Sequence, residues 1–260
     1  VQAHRNFIDA GAQVIITNNY AVVPFHHSEA FFAERGRELV DLAGRLARQA
    51  ADEADRDVLV AGSMPPLFGS YEPDQFDPER GASMYATIAQ ALEPYVDLWI
   101  GETLGSIAEM ESVVAAIAAL PSAHPVWMSF SLPDVWTDDV IALRSGETID
   151  RIVERADDRI EALLFNCSLP EQTGPALVEL RRAIDDAGRS LRIGGYANAF
   201  PTAREGGYRA NEAILERRGD LTAERYGEFV ADWITAGASI VGGCCDMYPE
   251  HIETLAERFG

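Results

Sequence analysis

Two adjacent cysteines, Cys244 and Cys245, stand near the carboxyl end of the sequence and directly follow two glycines. The four residues before these glycines, 238–241, are apolar or small, which is typical of a buried strand that runs into a tight turn. The third cysteine, Cys167, also ends a mainly apolar run, at 162–166. The sequence therefore predicts that all three thiols lie at the ends of strands.

Three thiols in these positions are suited to binding a metal ion. Neighbouring cysteines seldom bond to each other without strain, because their side chains leave the backbone in divergent directions. Three thiolates supply three corners of a tetrahedron, and catalytic zinc sites leave the fourth position to water or substrate. The alternative is that all three are inert core residues, since free cysteine is among the most buried residue types. The two glycines and the shared strand-end position favour the metal site.

The segments around these cysteines resemble the zinc signature of the homocysteine S-methyltransferase family. The resemblance rests on Gly-Gly-Cys-Cys at 242–245, Pro-Glu-His-Ile at 249–252 and Asn-Cys-Ser at 166–168, and it extends over essentially the whole chain. The family includes the betaine and S-methylmethionine enzymes and the homocysteine half of cobalamin-dependent methionine synthase. The resemblance implies a Zn²⁺ cofactor and three zinc ligands that act in catalysis through it: Cys167, Cys244 and Cys245.

The same resemblance implies residues that bind the amino-acid substrate. Glu102 follows a glycine at the end of an apolar segment and matches the family's glutamate that receives the substrate's ammonium group. The alternative interpretation of Glu102 is an acid at a helix terminus. Asn19 and Tyr20 match the family's Thr-Asn-Thr-Tyr segment with one departure. An acid at the carboxyl end of a barrel strand is expected to face the site.

Three further polar residues stand at the ends of predicted strands. Asn198 matches the family's Pro-Asn position, although an alanine replaces the proline. Ser129 and Asn166 are expected either to line the pocket or to pair backbone groups.

The activity that the resemblance implies is transfer of a methyl group to the thiolate of homocysteine, which gives methionine. The donor is a sulfonium or quaternary-ammonium compound such as S-methylmethionine, S-adenosylmethionine or betaine, and the sequence leaves this choice open. Two segments depart from the family's pattern, Asp-Met-Tyr at 246–248 and Ser-Met-Pro-Pro at 63–66. An alternative of another class is a barrel that binds zinc without methyl transfer and acts as a thiol-binding or partner-binding module.

Cysteine redox chemistry and a nucleotide cofactor are both disfavoured. A cysteine redox enzyme is disfavoured because the chain contains no Cys-x-x-Cys pair. A nucleotide cofactor is disfavoured because no glycine-rich fingerprint follows a predicted strand.

Seven apolar segments that alternate with amphipathic helices are predicted to position these residues. The predicted strands lie at 13–17, 57–61, 97–101, 125–131, 162–167, 191–196 and 238–241. Every connection is long enough for a parallel crossover, and polar residues recur after strand ends, which favours a (β/α)8 TIM barrel over an open doubly wound sheet. Because the chain begins within a helix, we expect the first strand of the barrel to be missing from it. We expect residues 1–260 to form a single homocysteine-binding-type barrel domain.

Local signals predict several element boundaries. Residues 62–77 are predicted to be a long loop rich in proline, glycine and aromatics, either a functional lid or a surface excursion. Ser106 and Glu109 predict a capping box at the start of a helix. One helix is predicted to start near Pro175, and 199–219 is predicted to be a polar loop.

The composition restricts the partners. With 21 basic and 42 acidic residues the net charge is -21, which argues against nucleic acid and anionic membranes as partners. No apolar run reaches transmembrane length, and the amino terminus lacks the basic and apolar regions of a signal peptide. The low, odd number of cysteines fits a reducing compartment, so we expect a cytoplasmic protein. The chain lacks the long carboxyl-terminal arm of the betaine enzymes, so a monomer or weak homodimer is expected.

Overall fold

The structure is a computed structural model that describes residues 1–136, 140–200 and 218–260. Over these residues the backbone forms seven strands. They are β1 (Val14–Ile16), β2 (Leu59–Met64), β3 (Leu98–Leu104), β4 (Val126–Phe130), β5 (Ile160–Asn166), β6 (Arg192–Tyr196) and β7 (Ala238–Val241). The predicted loop at 199–219 lies mostly outside the described residues.

Helices separate the strands in the described ranges. They are α1 (Gln2–Asp9), α2 (Glu29–Phe31), α3 (Arg37–Asp52), α4 (Pro78–Leu92), α5 (Ile107–Ala118), α6 (Ile149–Arg155), α7 (Pro170–Asp186), α8 (Ala223–Thr235) and α9 (Pro249–Phe259). A π-helical turn, Phe32–Gly36, joins α2 to α3. No helix within the described ranges combines the length and the hydropathy that a membrane span requires.

The strands are all parallel and lie side by side in chain order from β1 to β7. Each crossover therefore moves one position in the same direction, which confirms the predicted α/β architecture of the TIM-barrel class. The sheet is curled, as shown by the contact between α1 and α9, the helices next to its two edges. A Cβ at Gly11, whose φ is +106°, would lie 2.4 Å from the Cβ of Ala256, so only glycine fits this contact.

Both faces of the sheet are buried. In β5, Leu163 and Phe165 pack against the helical layer, whereas Ala162 and Leu164 belong to an inner cluster. This alternation follows from the two-residue period of a strand. The buried members of the inner cluster are Ala61, Leu98, Ile100, Trp127, Ala162, Leu164 and Tyr196.

Several elements differ from the boundaries that the sequence predicts. Strand β2 extends to Met64, three residues beyond the predicted end at 61, so the loop that follows it begins at residue 65. Helix α7 begins at Pro170, before the predicted start near Pro175, because proline at the first helical position lacks only an N–H that would be unpaired there anyway. Pro175 then lies inside the helix, where it removes one backbone hydrogen bond. Strand β3 continues beyond residue 101, since Leu104 pairs with Phe130 after a shift in register.

Candidate metal centre and active site

The parallel order of the strands brings the three cysteines to one edge of the sheet. Cys167 directly follows β5, while Cys244 and Cys245 follow β7 after the two glycines. The Sγ atoms of Cys167 and Cys245 lie 3.5 Å apart, and those of Cys244 and Cys245 lie 4.0 Å apart. All three sulfurs lie within 4.8 Å of one another. The structure thus brings together the thiols that the sequence places at strand ends.

These separations fit a metal ion better than a covalent bond. A tetrahedral zinc ion with Zn–S bonds of about 2.3 Å holds its sulfurs about 3.8 Å apart, whereas a disulfide needs about 2.05 Å. All three thiols are free. Cys167 is buried, Cys244 is half-buried and Cys245 is exposed, so the cluster opens towards solvent on the side of Cys245. The donor set and its open side therefore suit a metal ion that has an exchangeable position.

Backbone hydrogen bonds across the strand ends fix the cysteines. The Cys167 N–H donates to the Tyr196 carbonyl (3.2 Å), and the Cys244 N–H donates to the Ala197 carbonyl (2.9 Å). Cys167 has a φ of +48°, a left-handed conformation that few residues other than glycine adopt. These hydrogen bonds fix the backbone of the cluster, and one of its positions is strained.

Hydrogen bonds among the three thiols shift their pKa values. Hydrogen bonds from Cys244 and Cys245 lower the pKa of the Cys167 thiol, although its burial opposes the shift. Donation to Cys167 in turn raises the pKa of Cys244. A bound cation would favour the thiolate form of all three, because metal ligands must be deprotonated.

Glu102 lies in β3 on the same edge of the sheet, and only 8% of it is exposed. The Ser63 hydroxyl, at the end of β2, donates a hydrogen bond to its Oε1. Burial raises the pKa of the Glu102 carboxyl to about 7; the Ser63 hydrogen bond opposes this shift and the negative charge of Cys167 adds to it. No ion pair to Glu102 occurs within residues 1–136, 140–200 and 218–260, and a buried carboxyl group in such surroundings favours binding of a positively charged ligand.

Asn166 and Ser129 form a network rather than a free pocket wall. The Asn166 Oδ1 accepts hydrogen bonds from the Thr103 N–H (2.8 Å) and from the Ser129 hydroxyl (2.7 Å). The Asn166 Nδ2 donates to the Thr103 hydroxyl (2.8 Å) and lies 3.9 Å from the Cys244 sulfur. These contacts join the ends of β3, β4 and β5 and hold Thr103, whose φ is +59°. Direct contact of Asn166 or Ser129 with substrate stays a prediction.

Asn19 is fully buried and joins the first two strands. Its Oδ1 accepts from the Thr17 hydroxyl (2.7 Å), and its Nδ2 donates to the Ser63 carbonyl (3.1 Å). Tyr20 is half-buried, and its hydroxyl lies 2.8 Å from the Ser70 hydroxyl. Burial and the charge of Cys167 raise the pKa of Tyr20. Asn19 thus contacts Ser63, the donor to Glu102, whereas contact of Asn19 or Tyr20 with substrate stays a prediction.

Asn198 is buried beyond the end of β6. Its Oδ1 accepts from the Phe200 N–H (3.2 Å), and its own N–H donates to the Ser168 carbonyl (3.0 Å). The side chain therefore caps the turn that carries it, and its role towards substrate is untested.

The structure also identifies residues of the site that sequence reasoning missed. Tyr71 donates a hydrogen bond from its hydroxyl to the Cys167 sulfur (3.0 Å), and the Arg144 guanidinium lies 4.7 Å from the centre of its ring. Burial and the charge of Glu102 raise the pKa of Tyr196, which lies at the end of β6. For Tyr71 the aromatic-rich composition of the loop at 62–77 was a signal, but it did not indicate which residue of the loop would reach the site. For Ser63, Tyr196 and Arg144 the sequence carried no comparable signal.

Comparisons with known proteins agree with this site. The chain matches the family described as homocysteine S-methyltransferase over residues 1–259. It is 28% identical to homocysteine S-methyltransferase of Escherichia coli K12, with 99% of this chain and 83% of that protein covered. It is 27% identical to betaine-homocysteine S-methyltransferase of Drosophila melanogaster, with 97% and 80% covered. It is 24% identical to selenocysteine methyltransferase of Astragalus bisulcatus, with 98% and 80% covered.

Solved structures share the fold. A protein of Bacteroides thetaiotaomicron assigned as a candidate alpha-L-fucosidase superimposes with a TM-score of 0.58 over 98% of this chain and 84% of that one. The identity is 12%, so this likeness concerns the barrel architecture alone.

Proposed function

Because the chain belongs to the homocysteine S-methyltransferase family and is therefore a methyltransferase, we propose that it methylates homocysteine to give methionine. The observation that carries the proposal is the cluster of Cys167, Cys244 and Cys245, which opens to solvent beside the buried Glu102. The cluster suits a sulfur ligand in the exchangeable position, and Glu102 suits an ammonium group. Homocysteine carries both groups.

We propose that the resident metal is zinc, held by the three cysteines. The fit is supported by the sulfur separations and by the thiolate donor set, which favours soft or borderline metals over calcium or magnesium. A bound zinc ion would supply a Lewis acid that favours the thiolate of the substrate, whose thiol otherwise has a pKa of about 8.5 and is mostly protonated at neutral pH.

Glu102 is proposed to bind the ammonium group of homocysteine. The ionised carboxylate is required for this contact, and the Ser63 hydroxyl that donates to Oε1 stabilises that form and orients it. Asn19 supports the same contact from a distance, since its amide donates to the Ser63 carbonyl. Asn166 and Ser129 are proposed to act by fixing Thr103, the neighbour of Glu102.

The methyl donor is proposed to bind on the exposed side of the cluster. Sulfonium and quaternary-ammonium groups are cations that aromatic faces attract, and Tyr20, whose pKa is raised by burial and by the charges of Cys167 and Glu102, is proposed to supply such a face. Asn198, beyond β6, is proposed to complete the wall of the site. In the reaction the homocysteine sulfur forms a bond to the methyl carbon as the bond to the donor's sulfur or nitrogen breaks. The bonding electrons leave with the donor, which becomes a neutral sulfide or amine.

The donor is proposed to be S-methylmethionine, S-adenosylmethionine or betaine, and these differ in the shape of the group around the cation. We further propose that residues 1–260 act as one homocysteine-binding barrel, as a monomer or weak homodimer of the cytoplasm.

The experiment combines metal content with product formation. Protein purified under reducing conditions without chelator is assayed for zinc and for methionine formed from homocysteine with each donor in turn. We expect one zinc ion per chain and methionine from at least one donor, and we expect Cys167→Ala to lose both. Ser239→Ala, a small change at an exposed position of β7, is the matched control and should retain both.

Two outcomes would contradict the proposal in different ways. Absence of zinc from the reduced wild-type protein would indicate that the three cysteines are inert core residues. Stoichiometric zinc without methionine from any of the three donors would contradict methyl transfer to homocysteine and favour a barrel that binds zinc and thiols without this reaction.

A further inference from the structure

Tyr71 is the one side chain of the loop at 65–77 for which the structure records a bond to a cysteine of the cluster. Its hydroxyl donates to the Cys167 sulfur at 3.0 Å, although the two residues are 96 positions apart in the chain. The bond reaches the buried cysteine, only 3% of which is exposed, and neither the half-buried Cys244 nor the exposed Cys245. Because Cys167 is the most buried of the three, charge on its sulfur depends most on donors supplied by the protein.

The loop holds Tyr71 in this position at an energetic cost. Its φ is +69°, in the left-handed region that costs about 1–2 kcal/mol for a residue with a side chain, and its partner Cys167 is left-handed as well. Such conformations persist where surrounding contacts determine them, and they cluster at functional sites. Here Ser70, next to Tyr71, is buried and bonds to the Tyr20 hydroxyl at 2.8 Å.

Arg144 holds the ring from another segment of the chain. Its guanidinium lies 4.7 Å from the ring centre, in the range of a cation–π contact, and 3.5 Å from the Asp134 carboxylate. The ring is therefore fixed both by its own loop and by the segment before α6. A hydroxyl fixed in this way stays directed at the sulfur without losing further rotational freedom when a ligand binds.

We infer that Tyr71 is a positioning residue of the metal centre, which donates a hydrogen bond to the thiolate of Cys167 and thereby sets its electron donation to the metal. This inference rests on the proposed zinc centre. Three thiolates on a divalent ion leave one negative charge, and a substrate thiolate adds another in a partly buried site. A donor on the most buried sulfur withdraws part of this charge and fixes the direction of the ligand.

The test compares metal binding by Tyr71→Phe and wild type at a single pH. Phenylalanine keeps the ring and its contact with Arg144 but removes the donor. Groups of this kind, when lost, cost about 10–100-fold in metal affinity, so we expect zinc to dissociate at least about tenfold more readily in competition with a chelator. Tyr85→Phe is the matched control, because the buried Tyr85 hydroxyl has no hydrogen-bond partner in the part of the chain that the structure describes. It should bind zinc as the wild type does.

A spectroscopic measurement distinguishes this role from a merely structural one. In protein loaded with Co²⁺ instead of zinc, hydrogen bonding to a thiolate lowers the energy of the sulfur electrons and so raises the energy of the sulfur-to-metal charge-transfer band. We expect the band of Tyr71→Phe to move to lower energy, and that of Tyr85→Phe to stay in place. If Tyr71→Phe fails to fold, Arg144→Gln, which releases the ring but keeps the hydroxyl, should show a smaller shift of the same sign.

The outcomes separate this inference from the proposed function. Wild-type zinc affinity and an unmoved band in folded Tyr71→Phe would overturn the role of Tyr71 and leave the zinc centre intact. Failure of the wild type to bind zinc or cobalt would overturn the centre itself.

Discussion

Glu102 illustrates how a single residue acquires its chemistry from its surroundings. Burial and the nearby negative charge of Cys167 raise the pKa of its carboxyl to about 7, although the hydrogen bond from the Ser63 hydroxyl opposes this shift. The group is therefore only partly ionised at neutral pH when the site is empty. An ammonium group in contact with it would restore the charge by direct attraction.

Replacing Glu102 by glutamine is expected to weaken homocysteine binding. A hydrogen bond to a charged group contributes about 1.5–3 kcal/mol, so KM for homocysteine should rise about 10–100-fold, with a smaller change in kcat. Since only the carboxylate binds ammonium, the wild-type KM should fall as the pH rises through about 7, and that of Glu102→Gln should not. Steady-state kinetics over this range measure both effects. Glu161→Gln, at an exposed position of β5, is the control, and a parallel pH profile in Glu102→Gln would contradict the assignment.

The ends of β6 and β7 show how an element positions the thiols. The fully buried Tyr226, in α8, donates from its hydroxyl to the Gly242 carbonyl (2.6 Å) and accepts from the Ala197 N–H (3.0 Å). One hydroxyl thus joins the turn before Cys244 to the residue whose carbonyl accepts the Cys244 N–H. The geometry of the cluster therefore depends on a helix that contributes no ligand.

Removing this hydroxyl in Tyr226→Phe is expected to leave a buried N–H and a carbonyl unpaired, at a cost of about 1–3 kcal/mol in the free energy of unfolding. Zinc affinity should fall as well, because the turn before Cys244 loses its anchor. Denaturant unfolding and chelator competition test the two effects. The control is Tyr95→Phe, whose hydroxyl bonds to Asp41 near the surface. Equal stability of Tyr226→Phe and the control would show that the hydroxyl does not fix the strand ends.

The start of α5 confirms the predicted cap in part. Ser106 accepts the Glu109 N–H, as a capping box requires, but the Glu109 carboxylate accepts from the Gly105 N–H and the Ser106 hydroxyl. Only 2% of Glu109 is exposed. Burial raises its pKa to about 7, although the hydrogen bonds at the cap oppose this shift.

This cap makes the stability of the protein depend on pH. The folded state retains the Glu109 proton between pH 4.5 and about 7, where the unfolded chain has lost it, so the free energy of unfolding falls as the pH rises through this window. The contribution is at most about 3 kcal/mol. Glu109→Gln should have a flatter profile than wild type in urea unfolding at about pH 5 and about pH 8. If Glu109→Gln and wild type show the same difference in the free energy of unfolding between the two pH values, the role of Glu109 is contradicted. Glu257→Gln, at an exposed position, is the control.

For the whole molecule, the net charge of -21 favours solubility, but repulsion among like charges also destabilises the compact folded state. Arg48 and Arg182 each pair with more than one acid at the surface, yet acidic residues outnumber basic ones by 42 to 21. Most carboxylates therefore repel one another across solvent, where salt screens them within about 10 Å at 0.1 M ionic strength.

Salt is expected to stabilise the folded protein. Raising NaCl from about 0.05 M to about 1 M shortens the screening length from more than 10 Å to about 3 Å and reduces this repulsion. A gain of about 1 kcal/mol would raise Tm by roughly 2–4 °C for a chain of this size. Calorimetry in NaCl and in KCl measures it, and equal shifts in the two salts would indicate screening. A Tm that stays constant or falls would show that surface repulsion is not significant.

The sequence alone was enough to predict the cluster of three cysteines and the order of the elements. The alternation of strands and helices, and the position of the three cysteines at strand ends, follow from local sequence patterns. These patterns do not depend on contacts with distant residues. Parallel strands then bring their carboxyl ends to one edge, so residues separated by most of the chain could be placed together before any coordinates. Glu102 was predicted by resemblance to its family, and the start of α7 was misplaced because Pro170 and Pro175 carry equivalent local signals.

Only the tertiary structure decided which polar groups touch. The bond from Ser63 to Glu102, the bond from Tyr71 to Cys167 and the links from Tyr226 to the strand ends join residues with no shared period or motif. Such contacts depend on the path of loops and on positive φ angles at Tyr71 and Cys167, which surrounding packing imposes. Burial, which raises the pKa of Glu102 and leaves Cys167 dependent on a protein donor, is likewise a property of the folded molecule, because it is set by residues distant in the chain.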